Sequence, residues 1–373
     1  MTEYMMFDVA IVGAGVLGLA HAYHLARAGK KVAVFERSRK AEGASIRNFG
    51  MLWPIGQPLG ERYETALRSR EHWLHVLTEA KIWHEQTGSL HLAYADDEAA
   101  VLQEIDFPST QWLEPTQVHE KAKGIRCENL RGGLWSTTEI CVDPREVIAS
   151  LPAFLTERYG VTFHFGTTVF GYEHPHLGTS SGMFDAAQLI VCSGHELTTL
   201  YPEALTAEKD LTVCKLQMMR TSPQPGSWRL GPMLAAGLTL AHYESFKSCP
   251  SLPALKARLH REFAEYERYG IHVLVSQNGH GELTLGDSHE YDDEISIFNN
   301  EQIDRLVLKY LATFLEAPDC QIASRWHGFY LKHKTQPWWI AHPDEHVTLV
   351  TGVGGAGMTL SFGLAEDVVE ELG

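Results

Sequence analysis

Asp8-Val9-Ala10-Ile11-Val12-Gly13-Ala14-Gly15-Val16-Leu17-Gly18-Leu19-Ala20, a helical stretch, and then Lys31-Val32-Ala33-Val34-Phe35-Glu36 decide the fold. Val9 to Val12 form the short apolar run that a buried parallel strand requires. Gly13, Gly15 and Gly18 follow in G-x-G-x-x-G spacing. The first allows a tight turn, the second lets backbone approach a pyrophosphate, and the third lets the helix pack closely on the sheet. Ala20, Leu25 and Ala26 can face that sheet, and Gly29 suits the helix C-terminus. Lys31 to Phe35 make the second strand, and Glu36 ends it, placed to accept hydrogen bonds from ribose hydroxyls. Strand, glycines, helix, second strand and terminal acid fall in one register, which predicts a dinucleotide site. Glu36 would repel a 2′-phosphate, leaving NAD or the ADP half of FAD.

At 373 residues the chain is long enough for two domains or one elaborated domain. Its net charge, 31 − 47 = −16, disfavours general binding to nucleic acid or anionic membranes. An anionic small substrate stays possible, because a local basic pocket can coexist with an acidic surface. The six cysteines, at 127, 141, 192, 214, 249 and 320, show no C-x-x-C pairing and read as reduced structural thiols. No run reaches transmembrane length, and the chain enters its first strand without a leader-like segment, so a cytoplasmic location is expected. The histidines are scattered without H-E-x-x-H spacing, and the sequence predicts no metal site.

Beyond Glu36, Gly43-Ala44-Ser45-Ile46-Arg47-Asn48-Phe49-Gly50-Met51 is a small-residue stretch leading to a helix over 61–79. Strands are expected at 132–135 and 140–142, and a helix from Asp143-Pro144 to Tyr159, with Asp143 as N-cap. Strands follow at 161–165, 167–172 and 188–192, with a turn over 178–182. From 206 to 324 the pattern changes. Long strands at 211–220 and 271–287, a hairpin turn at Asn278-Gly279, and helices over 253–268 and 300–316 suggest an antiparallel sheet. The end of the chain returns to the opening pattern: a strand at 346–350, the glycine-rich Thr351-Gly352-Val353-Gly354-Gly355-Ala356-Gly357-Met358-Thr359, and a helix. Its helix start offers backbone N–H groups and partial positive charge to an anion. The three glycine-rich sites fit one elongated ligand and sharpen the dinucleotide reading to FAD.

At these residues the sequence resembles the D-amino-acid oxidase superfamily, especially its glycine oxidase/sarcosine oxidase-like branch. The likeness is strongest in 9–36, 43–51, 189–194 and 352–370. The longer wording from Gly43 to Pro54 also resembles a narrower group of FAD oxidoreductases associated with phosphonate catabolism. The resemblance implies an α/β fold: a discontinuous Rossmann-like FAD-binding domain (1–80, 140–205 and 325–373) with an inserted α+β antiparallel-sheet substrate domain (81–139 and 206–324). It implies non-covalent FAD held by Gly13, Gly15, Val16, Leu17, Gly18, Glu36, Arg37, Ser45, Arg47, Asn48, Gly50, Met51, Val169, Ser193, Gly194, Gly355, Ala356, Gly357, Met358 and Thr359. Val169 matches the family's backbone contact to adenine, and the last glycine loop its segment near the isoalloxazine.

The implied chemistry is oxidation of a carbon–nitrogen bond in a small primary or secondary amine. Hydride passes to flavin, water hydrolyses the imine, and oxygen or another acceptor takes the electrons. No dedicated catalytic residue is expected. Many relatives carry W-x-G-L-R-P, whose arginine holds a substrate carboxylate. Here Trp326-His327-Gly328-Phe329-Tyr330-Leu331 places Tyr330 at that arginine. Arg47, Tyr330, Lys332, His333 and Lys334 are then the substrate-binding candidates, the basic run suiting a phosphonate such as an N-alkylated aminophosphonate. An ordinary solvated turn would explain the same run. Asp287 and His289 either enter the pocket or form a structural turn. His327 is the residue whose type could tether flavin covalently. The competing functions are a glycine/sarcosine-type amino-acid oxidase, a 2-hydroxy-acid or polyol-phosphate dehydrogenase, and a flavin-binding regulatory protein without turnover.

Overall fold

The computed structural model describes residues 6–291 and 295–372. The opening motif folds as its spacing dictates. The strand Met6–Val12 runs parallel to Val32–Glu36, and the helix Val16–Arg27 crosses between them. Gly13 takes a φ of +101°, which a side chain would strain. Gly29, at φ +82°, closes the helix by donating its N–H to the Ala26 carbonyl at 3.0 Å.

Met6–Val12 also pairs in parallel with Gly182–Val191, and Val32–Glu36 with Thr162–Phe165. Val169–Glu173 and His176–Thr179 extend one side of this eight-stranded sheet. Val347–Thr351 returns from the far end of the chain to lie beside Gly182–Val191. The sheet's helical cover includes Val16–Arg27 and Gly357–Leu372, which share one apolar core with Glu61–Glu79 and Pro144–Tyr159.

A second, nine-stranded sheet holds Ser89–Ala93, Thr110–Leu113, Gly132–Ser136 and the strands between Leu211 and His333. Its spine is Leu211–Pro223 against Ile322–His333, antiparallel over both lengths. Ile322–His333 lies wholly in this sheet, so it crosses the boundary expected at 325. A small three-stranded sheet of Met51–Leu52, His84–Glu85 and Ile140–Val142 stands apart from the two large ones.

The helices Glu61–Glu79 and Pro144–Tyr159 match their expected spans, and Asp143 caps the latter by accepting the Arg145 N–H at 2.9 Å. Three local readings need correction. The turn expected over 178–182 is largely strand: His176–Thr179 pairs with Gly182–Phe184, leaving only Ser180 and Ser181 to turn. Gly178 sits in that strand under the Phe170 ring. The helix expected over 253–268 breaks at Phe263 into Leu252–Glu262 and Ala264–Arg268. The helix expected over 300–316 ends at Leu311, because Phe314 and Leu315 turn inward to the core.

Trp73 is fully buried and its indole N–H donates to the Met358 carbonyl at 2.8 Å, holding the start of the last helix. Trp73→Phe is expected to lower stability by about 1 kcal/mol. The urea midpoint reads this, and an unchanged midpoint would show that the bond holds nothing.

Buried histidines give the fold an acid sensitivity. His91 is fully buried with neither ring nitrogen partnered, and desolvation pushes its pKa down to about 3. Burial takes His21 down to about 4. Unfolded, both would titrate near 6.5. Below that value the unfolded chain binds more protons than the folded one, so stability falls as pH falls. Each histidine contributes about 1.4 kcal/mol per pH unit between its two pKa values. Urea unfolding at a series of pH values is expected to show a shallower slope for His91→Phe, and a parallel slope would contradict the assignment.

Candidate active site

A cavity of about 540 Å³ runs from the opening glycine loop to the wall of the second sheet. That size is ordinary for a small-molecule or cofactor site. It begins at Gly13, Gly15, Val16 and Leu17, where the helix Val16–Arg27 presents its N-terminal backbone. A side chain at Gly15 would press on the Ser45 hydroxyl, with its Cβ 3.1 Å away. Gly18 does not face the cavity. It lies against the strand turn, where a Cβ would stand 1.9 Å from the Gly13 carbonyl oxygen.

Glu36 lines the same end. Its carboxylate accepts the Ala14 and Ser38 N–H groups, both at 3.0 Å, and so bridges the glycine loop to the end of its own strand. Each oxygen retains acceptor capacity for a ribose hydroxyl. Arg37 also lines the cavity and pairs with Glu196 at 3.4 Å. Thr167, Thr168 and Val169 form the neighbouring wall, with Ser193 and Gly194 beyond them.

Residues 43–51 form the cavity's middle section. The Ser45 hydroxyl accepts the Val16 N–H at 2.9 Å. Asn48 folds its side chain back on the loop, donating to the Ser45 carbonyl at 2.9 Å and accepting the Gly50 N–H at 2.8 Å. Gly50 is not on the cavity wall. Its φ of +70° and its contact with the Val142 carbonyl, 1.9 Å from a would-be Cβ, leave no room for a side chain. Arg47 reaches across to the second sheet, where its guanidinium donates to the His327 carbonyl at 3.1 Å. Met51 is buried and pairs with Cys141.

The last glycine loop closes the far end. Gly355, Ala356, Gly357, Met358 and Thr359 all line the cavity, and the helix Gly357–Leu372 starts there. The Thr359 hydroxyl accepts the Trp53 N–H at 2.9 Å, joining this loop to the segment after Met51. Tyr330 faces the same loop: a Cβ on Gly355 would lie 3.6 Å from the Tyr330 hydroxyl. Burial drives the Tyr330 pKa well up, keeping the phenol protonated as a hydrogen-bond donor.

All three residues of the basic run line the cavity. The run continues the strand Ile322–His333 into the turn beyond. Lys332 is exposed at the cavity, with its ammonium 5.7 Å from the Tyr291 ring centre. His333 is buried, and its Nδ1 accepts the Gln336 N–H at 3.0 Å. The Lys334 ammonium donates to the Lys209 carbonyl at 3.2 Å. Lys332 projects beside Tyr291, whereas His333 and Lys334 also bond neighbouring backbone. His327 is not on the cavity wall and bonds Asn299 at 2.8 Å.

Asp287 and His289 are cavity-wall residues, not a surface turn. His242 and His272 join them there. Sequence reasoning missed these two because they lie far apart in the chain and on different elements. His272 and Asp287 exchange backbone hydrogen bonds across two strands, at 2.8 and 3.2 Å, which puts both side chains on one face.

The FAD reading fits these residues. Three backbone cradles have glycines where ligand or backbone must approach, two helix N-termini face the cavity, and Glu36 stands at the sugar end. The family model described as DAO, FAD dependent oxidoreductase, matches residues 8–371, so the chain belongs to that family of FAD-dependent oxidoreductases. A glycine oxidase of Bacillus licheniformis is 26% identical over 201 residues, covering 50% of this chain and 54% of that protein. A glycerol 3-phosphate dehydrogenase of Caloramator mitchellensis is 24% identical over 299 residues, covering 76% and 56%. The chain thus spans about half the length of these curated relatives. Among solved structures, glycine oxidase from Geobacillus kaustophilus superposes with a TM-score of 0.76 at 21% identity, covering 98% of this chain and 94% of that one. No helix among the described residues is long and apolar enough to cross a membrane.

Proposed function

We propose that this protein oxidises a small primary or secondary amine to an imine that water hydrolyses. The carrying observation is a single cavity that joins the three glycine cradles to a Tyr330 wall on the second sheet. The eight-stranded sheet and its helices make the cofactor domain, and the nine-stranded sheet makes the substrate domain. Gly13, Gly15 and the N-terminus of Val16–Arg27 hold the pyrophosphate. Glu36 holds the ribose, Val169 borders the adenine, and residues 45–51 and 355–359 border the flavin ring.

FAD bound there supplies a two-electron acceptor for a hydride from the amine's α-carbon. The chain's own work is placement and exclusion of water. Tyr330 caps the substrate end with a neutral donor in place of a carboxylate-binding arginine. That exchange favours a substrate other than a simple α-amino acid, and an N-alkylated aminophosphonate is the particular substrate we propose. Lys332 supplies a positive charge on the substrate side, and His333 and Lys334 line the same cavity while also bonding backbone.

The glycerol 3-phosphate dehydrogenase relative favours a second reading, oxidation of a polyol phosphate at carbon–oxygen. An anaerobic panel of glycine, sarcosine, N-methylated aminophosphonates and glycerol 3-phosphate separates the two. Flavin bleaching by amines is the expected result. Bleaching by the alcohol alone would replace the amine reading.

A further inference from the structure

His242, His272 and His289 converge from three separate segments on the substrate side of the cavity. Their ligating nitrogens lie within 4.8 Å of one another. Asp287 sits among them, with its carboxylate 3.3 Å from His272 Nε2 and 3.8 Å from His289 Nε2. We propose that these three imidazoles, with Asp287, form a binding site for a divalent transition-metal ion of the zinc class.

Four features support a cation at this point. First, His272 and Asp287 are 3% and 5% exposed, yet both His272 nitrogens and one Asp287 oxygen have no hydrogen-bond partner. Buried polar groups without partners are costly, and a shared ion would take up one His272 nitrogen and an Asp287 oxygen together. Second, His289 Nδ1 lies 3.2 Å from the Gly270 carbonyl, an atom that can only accept. The Nδ1 proton is fixed there, which leaves the Nε2 lone pair facing the cluster. Metal-binding histidines are oriented by the same kind of bond.

Third, all three imidazoles stand on the wall of the same cavity. Fourth, the Asp287 carboxylate lies beside the His272 and His289 rings and offers an oxygen ligand. Lys332 lines the same cavity and opposes a cation. Bonds of about 2.0–2.1 Å need the nitrogens to close to roughly 3.4 Å, within reach of modest side-chain rotation.

Two other clusters among the described residues lack this character. In one, His72 already pairs with Glu366 at 2.9 Å. In the other, His333 Nδ1 already accepts the Gln336 N–H at 3.0 Å. The cavity side of the His242–His272–His289 site stays open, so a bound ion could take an anionic substrate group as a further ligand. It would stand on the same wall as Tyr330 and supply charge where that tyrosine has none.

The test uses untagged, FAD-loaded protein, stripped with a chelator and dialysed against zinc ion alone. Stoichiometric zinc is expected in the wild type, with affinity reduced about 10- to 100-fold in His272→Gln and in His289→Gln. His72→Gln is expected to bind as the wild type does. FAD content and far-ultraviolet circular dichroism confirm that the variants fold. If His272→Gln fails to fold, His289→Gln and the zinc-induced rise in melting temperature carry the test.

Zinc binding that survives both substitutions would overturn the proposal. So would an absence of zinc binding together with calorimetric binding of methylphosphonate that needs the same histidines, which would make the cluster an anion site. These readouts need no turnover, so they stand or fall separately from the amine reading.

Discussion

Gly18→Ala is expected to yield protein that no longer retains FAD. The added Cβ would stand 1.9 Å from the Gly13 carbonyl oxygen and 3.1 Å from its carbon, and both are backbone. Neither can rotate away. Either the helix Val16–Arg27 lifts from the sheet or the pyrophosphate loop shifts. Overpacking of this kind costs about 3 kcal/mol, roughly a hundredfold in affinity if it falls on the cofactor-bound state. Absorbance of the purified protein and a fluorescence titration with FAD measure it. Gly29→Ala is the matched control. Gly29, unlike Gly18, has positive φ, at +82°, but nothing lies within 4 Å of its would-be Cβ. Its cost is confined to backbone strain of about 1–2 kcal/mol, and the protein is expected to stay yellow. Equal FAD retention by Gly18→Ala would mean that the loop does not hold the cofactor.

Asp143→Ala is expected to be strongly destabilising. One carboxylate oxygen accepts the Arg145 N–H at 2.9 Å and caps the helix Pro144–Tyr159. The other accepts the Asn278 side-chain N–H at 2.8 Å and stands 3.6 Å from the Arg220 guanidinium. Arg220 lies in the nine-stranded sheet and Asn278 just beyond one of its strands, so this one carboxylate ties the helix Pro144–Tyr159 to that sheet. The Asp143 and Arg220 side chains are each 6% exposed. Alanine removes the cap and leaves Arg220 with only Glu282, at 3.1 Å. The expected loss is about 3–5 kcal/mol, since removing one partner leaves a buried charge short of compensation. Asp143→Asn retains the cap and loses the charge, so it is expected to fall between the two. Chemical denaturation of the three proteins orders them. Indistinguishable midpoints would refute the role.

The cofactor half of this protein was legible because its determinants are local. The opening motif, the Asp143 cap and the last glycine loop each declare themselves within a few residues, by turn geometry and apolar period. Boundaries were less legible where tertiary packing overrides propensity, as at Phe263 and at Phe314. Gly178 read as a turn because glycine usually marks one, but here its missing side chain makes room for the Phe170 ring.

The substrate side was legible only in part. Tyr330 was found through its place in a motif, and the structure puts it against the glycine loop. The run from Lys332 to Lys334 is legible as a charge run along the chain, and all three residues line the cavity, but the hydrogen bonds of His333 and Lys334 to backbone are set by the fold. His242 and His272 had no local signal. A cross-strand pairing brings His272 to Asp287, and His242 arrives from the end of the helix Leu238–His242, so only the folded sheet places them together.

The central claim is that one FAD molecule spans the three glycine cradles. The visible spectrum of the purified protein, before and after denaturation, tests it most directly. A flavin spectrum in stoichiometric amount, with the flavin released into solution on denaturation, is the predicted result. A colourless protein that takes up no FAD on reconstitution would contradict it.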